Sequence, residues 1–95
     1  MRRTKIVATL GPATTDPAKV SELIEAGVNV VRLNFSHGTK EEHGRRIKTV
    51  RDIARESGKA VAILQDLAGP KVRVGDIAHG ATELRPDQEF VLTTR

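Results

Sequence analysis

The stretch VRLNFSHG, residues 31–38, sets Arg32, Asn34 and Ser36 on alternate positions of an apolar run and closes on His37 and Gly38. Side chains of a strand alternate between its faces, so these three polar groups share one face and Val31, Leu33 and Phe35 share the other. A guanidinium offers a planar fork to phosphate or carboxylate, and Asn, Ser and Asp oxygens suit a hard cation. Phosphoryl transfer is one chemistry that needs both. A second polar cluster, Gln65-Asp66, ends the apolar run AVAILQDL at 60–67, and Lys71 and Arg73 follow it two residues apart. Bland readings stand beside these. Arg32 pairing with Asp66 would be purely structural. His37 is a base, a phosphate donor or a plain loop residue, and Lys71 with Arg73 is either a solvent-facing edge pair or a pair of cations aimed at phosphates. His43 and His79 read as an exposed helix residue and an exposed turn residue, without a role.

Three strands must present these groups. KIVATLG (5–11) is the first and is broken by Gly11-Pro12; VNVVRLNFS (28–36) is the second; residues 60–67 are the third. Between them lie two helices. Asp16 is an N-cap with Pro17 at the first helical position, Val20, Leu23 and Ile24 follow at helical spacing, and Gly27 stops the first helix. Thr39 and Glu42 have capping-box spacing, Ile47, Val50, Ile53 and Ala54 form an apolar face, and Gly58 stops the second. The order β-α-β-α-β predicts parallel neighbours with helices over one sheet face, and places Gly11, Asn34, Ser36, His37, Gln65 and Asp66 at carboxyl ends of strands, where α/β enzymes build their sites. After Gly69-Pro70 the pattern changes to short runs with close turns at His79-Gly80 and Arg85-Pro86-Asp87. That segment reads as antiparallel β.

Ninety-five residues make one small domain, 38% hydrophobic and 29% charged, with no apolar run near membrane-spanning length. The basic-then-apolar N-terminus is too short for a secretory h-region and reads as the first strand of a cytoplasmic protein. With no cysteine there is no thiolate chemistry or Cys-based zinc site. A net charge of +4 raises nucleic acid as a partner, but two Phe with no Tyr or Trp supply little stacking surface, and the basic residues of the second helix alternate with acidic ones. Nucleic acid and membrane are therefore not expected partners.

TKIVATLGPAT, then GVNVVRLNFSHG with EEH, then AILQDLAGPKVRVG closely resemble, in order and spacing, the N-terminal third of the pyruvate kinase catalytic barrel. The resemblance implies the first β-α-β-α-β portion of a TIM (β/α)8 barrel over residues 1–69 and the start of an inserted antiparallel β-barrel B domain over 70–95. It implies transfer of a phosphoryl group from phosphoenolpyruvate to ADP, giving pyruvate and ATP, by a parent homotetramer. It assigns Arg32 to substrate, Asn34, Phe35, Ser36, His37 and Arg73 to nucleotide, and Asn34, Ser36, Asp66 and the oxygen of Leu67 to a monovalent cation. No catalytic residue falls within the chain; the catalytic lysine and the acidic magnesium ligands belong to later strands, so residues 1–95 alone are expected to be inactive. Where the potassium-dependent motif resembles DTKGPEIR, this chain has DLAGPKVR. Lys71 puts a point charge where a potassium ion would otherwise stand, so magnesium but not potassium is expected to be required. A non-catalytic phosphate- or nucleotide-binding module using Arg32, Lys71 and Arg73 is the alternative.

Overall fold

The computed structural model describes residues 2–94. Its ordered part is a three-stranded parallel sheet, order β1-β2-β3, formed by Val7–Thr9 (β1), Val30–Asn34 (β2) and Ala62–Asp66 (β3). Two crossover helices, Pro17–Ala26 (α1) and Lys40–Ser57 (α2), join them. A 3-10 turn at Pro12–Thr14 follows β1.

Each helix begins and ends where local chemistry dictates. Asp16 caps α1 by accepting the Ala18 N–H at 2.9 Å, and Pro17 costs nothing at a position whose own N–H would have no helical partner. Gly27 ends it with φ of 108°, a left-handed conformation that a Cβ would strain. At α2 the capping box is complete: Thr39 Oγ1 accepts the Glu42 N–H at 3.2 Å, and Glu42 Oε2 accepts the Thr39 N–H at 2.8 Å. That backbone hydrogen bond, aided by Arg46 and Arg45, holds the Glu42 carboxyl below its ordinary value of 4.5 against a smaller opposing effect of burial.

The register pairs Val30 with Val7 and Ala62, Arg32 with Thr9 and Leu64, and Asn34 with Asp66. These residues share one face. The other carries Val31 and Leu33, which with Leu10, Val28, Val20 and Ile24 of α1 and Val50 of α2 make the buried core. Both helices therefore lie on one side. The opposite face is open, and Val7 and Leu64 remain 54% and 45% exposed there.

The strands are shorter than their sequence runs. Pairing does continue past their ends: Leu10 N–H donates to the Arg32 carbonyl and Phe35 N–H to the Asp66 carbonyl, at 3.0 and 2.9 Å. Alternation, however, stops at Asn34, and Ser36 belongs to a turn rather than to the strand. Where the sequence pattern predicts antiparallel β, residues 70–94 hold no strand among the described residues, only turns that include a 3-10 turn at Ala78–Gly80, and all are exposed. The turns fall where expected, with His79 and Asp87 at positive φ of 61° each. Among the described residues none of the intervening runs lies in a strand ladder, and a strand without a neighbouring strand has no ladder hydrogen bonds to form. A radius of gyration of 18.9 Å reflects this extended segment; a compact chain of this length would have about 12 Å.

Candidate functional site

The site is built at the carboxyl ends of the strands, around Arg32. The guanidinium reaches across all three. Nε and Nη2 donate to Asp66 Oδ2 at 3.0 and 2.5 Å, and Nη1 donates to Thr9 Oγ1 at 3.1 Å. The structural pairing of Arg32 with Asp66 is thus real. Three N–H groups of the five in the fork are engaged, which leaves two available to a ligand on a side chain 32% exposed. The pair is partly open to solvent, which screens it, so its contribution to stability is small and its effect is orientation.

Beside it the chain leaves β2 through Asn34-Phe35-Ser36-His37-Gly38. Asn34 Oδ1 accepts the Ser36 N–H at 3.1 Å and its carbonyl accepts the His37 N–H at 3.2 Å, so the side chain and backbone of Asn34 both fold the turn. Phe35 packs against the core, leaving its backbone, not its ring, on the site side. The His37 ring is exposed, and Gly38 has φ of 76°. Leu67 is 69% exposed immediately after β3. Asn34 and Asp66, two of the residues assigned to a monovalent cation, are cross-strand partners, and one Asp66 oxygen is occupied by Arg32.

Lys71 and Arg73 are not brought into this arrangement. Both are exposed outside any strand, and neither makes a hydrogen bond or ion pair among the described residues. Nor do any three His, Asp or Glu side chains converge, among the described residues, as a metal site would need.

Two residues escaped the sequence reading. Thr9 holds the far side of Arg32, and the alternation of KIVATLG had already set it on the polar face. His43 corrects an expectation: far from being exposed, it is 3% accessible, stacks on Phe35 with ring centroids 4.2 Å apart, and places Nε2 2.6 Å from the His37 carbonyl. The signal was its spacing. Positions 43, 47, 50 and 54 form one helical stripe.

The family model described as "Pyruvate kinase, barrel domain" matches residues 1–95. The chain belongs to the pyruvate kinase family. The pyruvate kinase of Geobacillus stearothermophilus is 50% identical over 92 residues, 97% of this chain and 16% of that protein. That of Thermococcus litoralis is 50% identical over 93 residues, 98% of this chain and 20% of the relative. A crystal structure of a pyruvate kinase from Cryptosporidium parvum superposes with a TM-score of 0.70 at 37% identity, covering 73% of this chain and 14% of that one. The chain therefore spans about a fifth or less of the pyruvate kinases it matches. The parallel α/β unit with polar strand ends is pyruvate kinase barrel structure.

Proposed function

We propose that this chain supplies the first three strands of a TIM (β/α)8 barrel in an enzyme that transfers the phosphoryl group of phosphoenolpyruvate to ADP. The carrying observation is Arg32, clamped between Thr9 and Asp66 with two N–H donors unspent and set beside the Asn34–His37 turn. Catalysis of phosphoryl transfer rests mainly on placed positive charge, because negative charge spreads over the phosphoryl oxygens in a loose transition state. Arg32 is suited to that task because its position is set before substrate arrives. The uncovered sheet face supports the barrel: Val7, Leu64 and the edge of β3 are surfaces that later strands would cover.

In this reading Arg32 contacts phosphoenolpyruvate, while Asn34, Phe35, Ser36, His37 and Arg73 serve the nucleotide, Phe35 through its backbone. A cleft of about 470 Å³, lined by Pro12, Thr15, Pro17 and Thr49 with Arg45, Arg46 and Glu42, offers the nucleotide room and two cations against one carboxylate. The residues present do not make a magnesium site, since among the described residues no three His, Asp or Glu side chains converge and Arg32 takes one of the two Asp66 oxygens; magnesium ligands and the catalytic lysine come from outside residues 1–95. Asn34, Ser36, Asp66 and the Leu67 carbonyl suit a monovalent cation in donor chemistry. Lys71 takes over that charge once residues 70–95 are folded as the start of the B domain, making the enzyme independent of potassium. The whole enzyme is a cytoplasmic homotetramer in this reading.

The test is coupled turnover by the full-length chain that carries these residues, with calorimetry alongside. Arg32→Gln should lower kcat/KM for phosphoenolpyruvate by at least about a hundredfold, the scale on which loss of one preorganised electrostatic group acts. Binding of ADP and phosphoenolpyruvate without turnover in the parent chain would replace the enzyme by a non-catalytic binding module.

A further inference from the structure

We infer that His43 is a positioning residue that sets the nucleotide-facing turn through the His37 carbonyl, an inference that rests on the phosphotransferase reading above. A carbonyl oxygen only accepts, so the 2.6 Å contact makes His43 Nε2 the N–H donor. The other ring nitrogen, Nδ1, is buried and has no hydrogen-bond partner among the described residues. Burying a polar atom unpaired is costly, and an apolar side chain would fill the space between α2 and Phe35 without that cost. The donor is therefore what this position retains. It acts at one place: the peptide joining His37 to Gly38.

The neighbouring geometry shows how closely the turn is seated there. A Cβ on Gly38 would lie 2.9 Å from Glu42 Oε2 and 3.3 Å from His43 Nε2, so the backbone runs directly against the first turn of α2. The ring of His43 also stacks on Phe35, the residue by which the turn leaves β2, at an interplanar angle of 21°. One side chain thus holds the turn at both ends. Between these two contacts lies Ser36, whose N–H is fixed by Asn34. Arg32, by contrast, is held by Thr9 and Asp66 and owes nothing to His43. Losing the tether should disturb the nucleotide side of the site and spare the phosphoenolpyruvate side.

Two near-isosteric variants separate the donor from the packing. His43→Leu removes the N–H, and His43→Gln restores one near the position of Nε2. In the full-length chain, His43→Leu is expected to raise KM for ADP about tenfold, the worth of one well-made hydrogen bond. KM for phosphoenolpyruvate should stay within about twofold, and His43→Gln should recover most of the loss, since only one of the two substrates depends on the tether. Equal KM for ADP in the two variants, or a parallel loss for both substrates, would overturn the inference. If the parent chain turned over neither substrate, the activity would fail separately, and calorimetric ADP affinity would still decide: a weaker Leu variant with Gln restored supports the tether, and equal affinities or no ADP binding refute it.

Discussion

Asp66→Asn isolates orientation from stability. The substitution keeps the shape of the side chain, removes its charge and leaves a single acceptor oxygen for the two Arg32 donors that now meet Oδ2 at 3.0 and 2.5 Å. Both side chains are partly open, Arg32 at 32% and Asp66 at 45% exposure, so solvent screens the pair. Its stabilising effect is then at most about 1 kcal/mol, a shift in Tm of no more than about 4 °C in a full-length barrel domain. The effect on turnover is larger. Once bound phosphoenolpyruvate and the later strands exclude water from the pair, charge-assisted hydrogen bonds of this kind are worth about 1.5–3 kcal/mol in holding a group in place, which corresponds to about 10- to 150-fold in kcat/KM for phosphoenolpyruvate. Thr9→Val, which removes only the neutral contact at 3.1 Å, should cost less, about 2- to 10-fold. Steady-state kinetics of the full-length chain, with scanning calorimetry of the same samples, reads both quantities. A drop in Tm well beyond 4 °C with unchanged kcat/KM would show that the pair fastens the sheet and does not aim Arg32.

Three further outcomes follow from the same geometry. Leu64, 45% exposed in this structure, lies on the face that later barrel strands would cover; Leu64→Ser should therefore destabilise the full-length chain by about 1–3 kcal/mol in denaturant unfolding, and neutrality would refute the barrel. The Glu42 carboxyl is held below 4.5, chiefly by the Thr39 N–H, so its stabilising effect is complete above that pH and fades as pH falls through the depressed value. The Tm gap between the parent and Glu42→Gln should accordingly be constant at neutral pH and close in acid, whereas a gap that widened in acid would contradict the cap. Replacing sodium by potassium in the assay buffer should change turnover less than about twofold if Lys71 supplies the charge, and strong activation by potassium would sink that assignment.

The legible parts of the fold are those whose cause is local. Asp16, Pro17 and Gly27 delimit α1, and Thr39, Glu42 and Gly58 delimit α2, because caps and left-handed stops are decided within a turn of chain. The apolar alternation Val31-Leu33 likewise chose the helix-covered face of β2. What was not legible depends on partners distant in sequence. Residues 70–94 have the composition of strands and the turns of strands, yet a strand is defined by the ladder it joins, and the sheet among the described residues comprises only β1, β2 and β3. Burial of His43 was hidden for a related reason: a histidine on an apolar stripe is placed by what lies opposite, and Phe35 and the His37 carbonyl come from another element.

The site divides along the same line. Arg32, Asn34 and Asp66 could be placed together from strand alternation and parallel order alone, since register follows once the strands are neighbours. Their division of labour could not, because it depends on which acceptors each donor meets in space. The structure assigns one oxygen of Asp66 to Arg32 and the Asn34 amide oxygen to the turn, so two of the groups assigned to a cation already perform positioning work. A monovalent ion here would have the other Asp66 oxygen, Oδ1, open to it and would share the Asn34 amide oxygen with the Ser36 N–H. In the proposed reading a Lys ammonium supplied from residue 71 would add positive charge beside these oxygens while leaving both contacts in place.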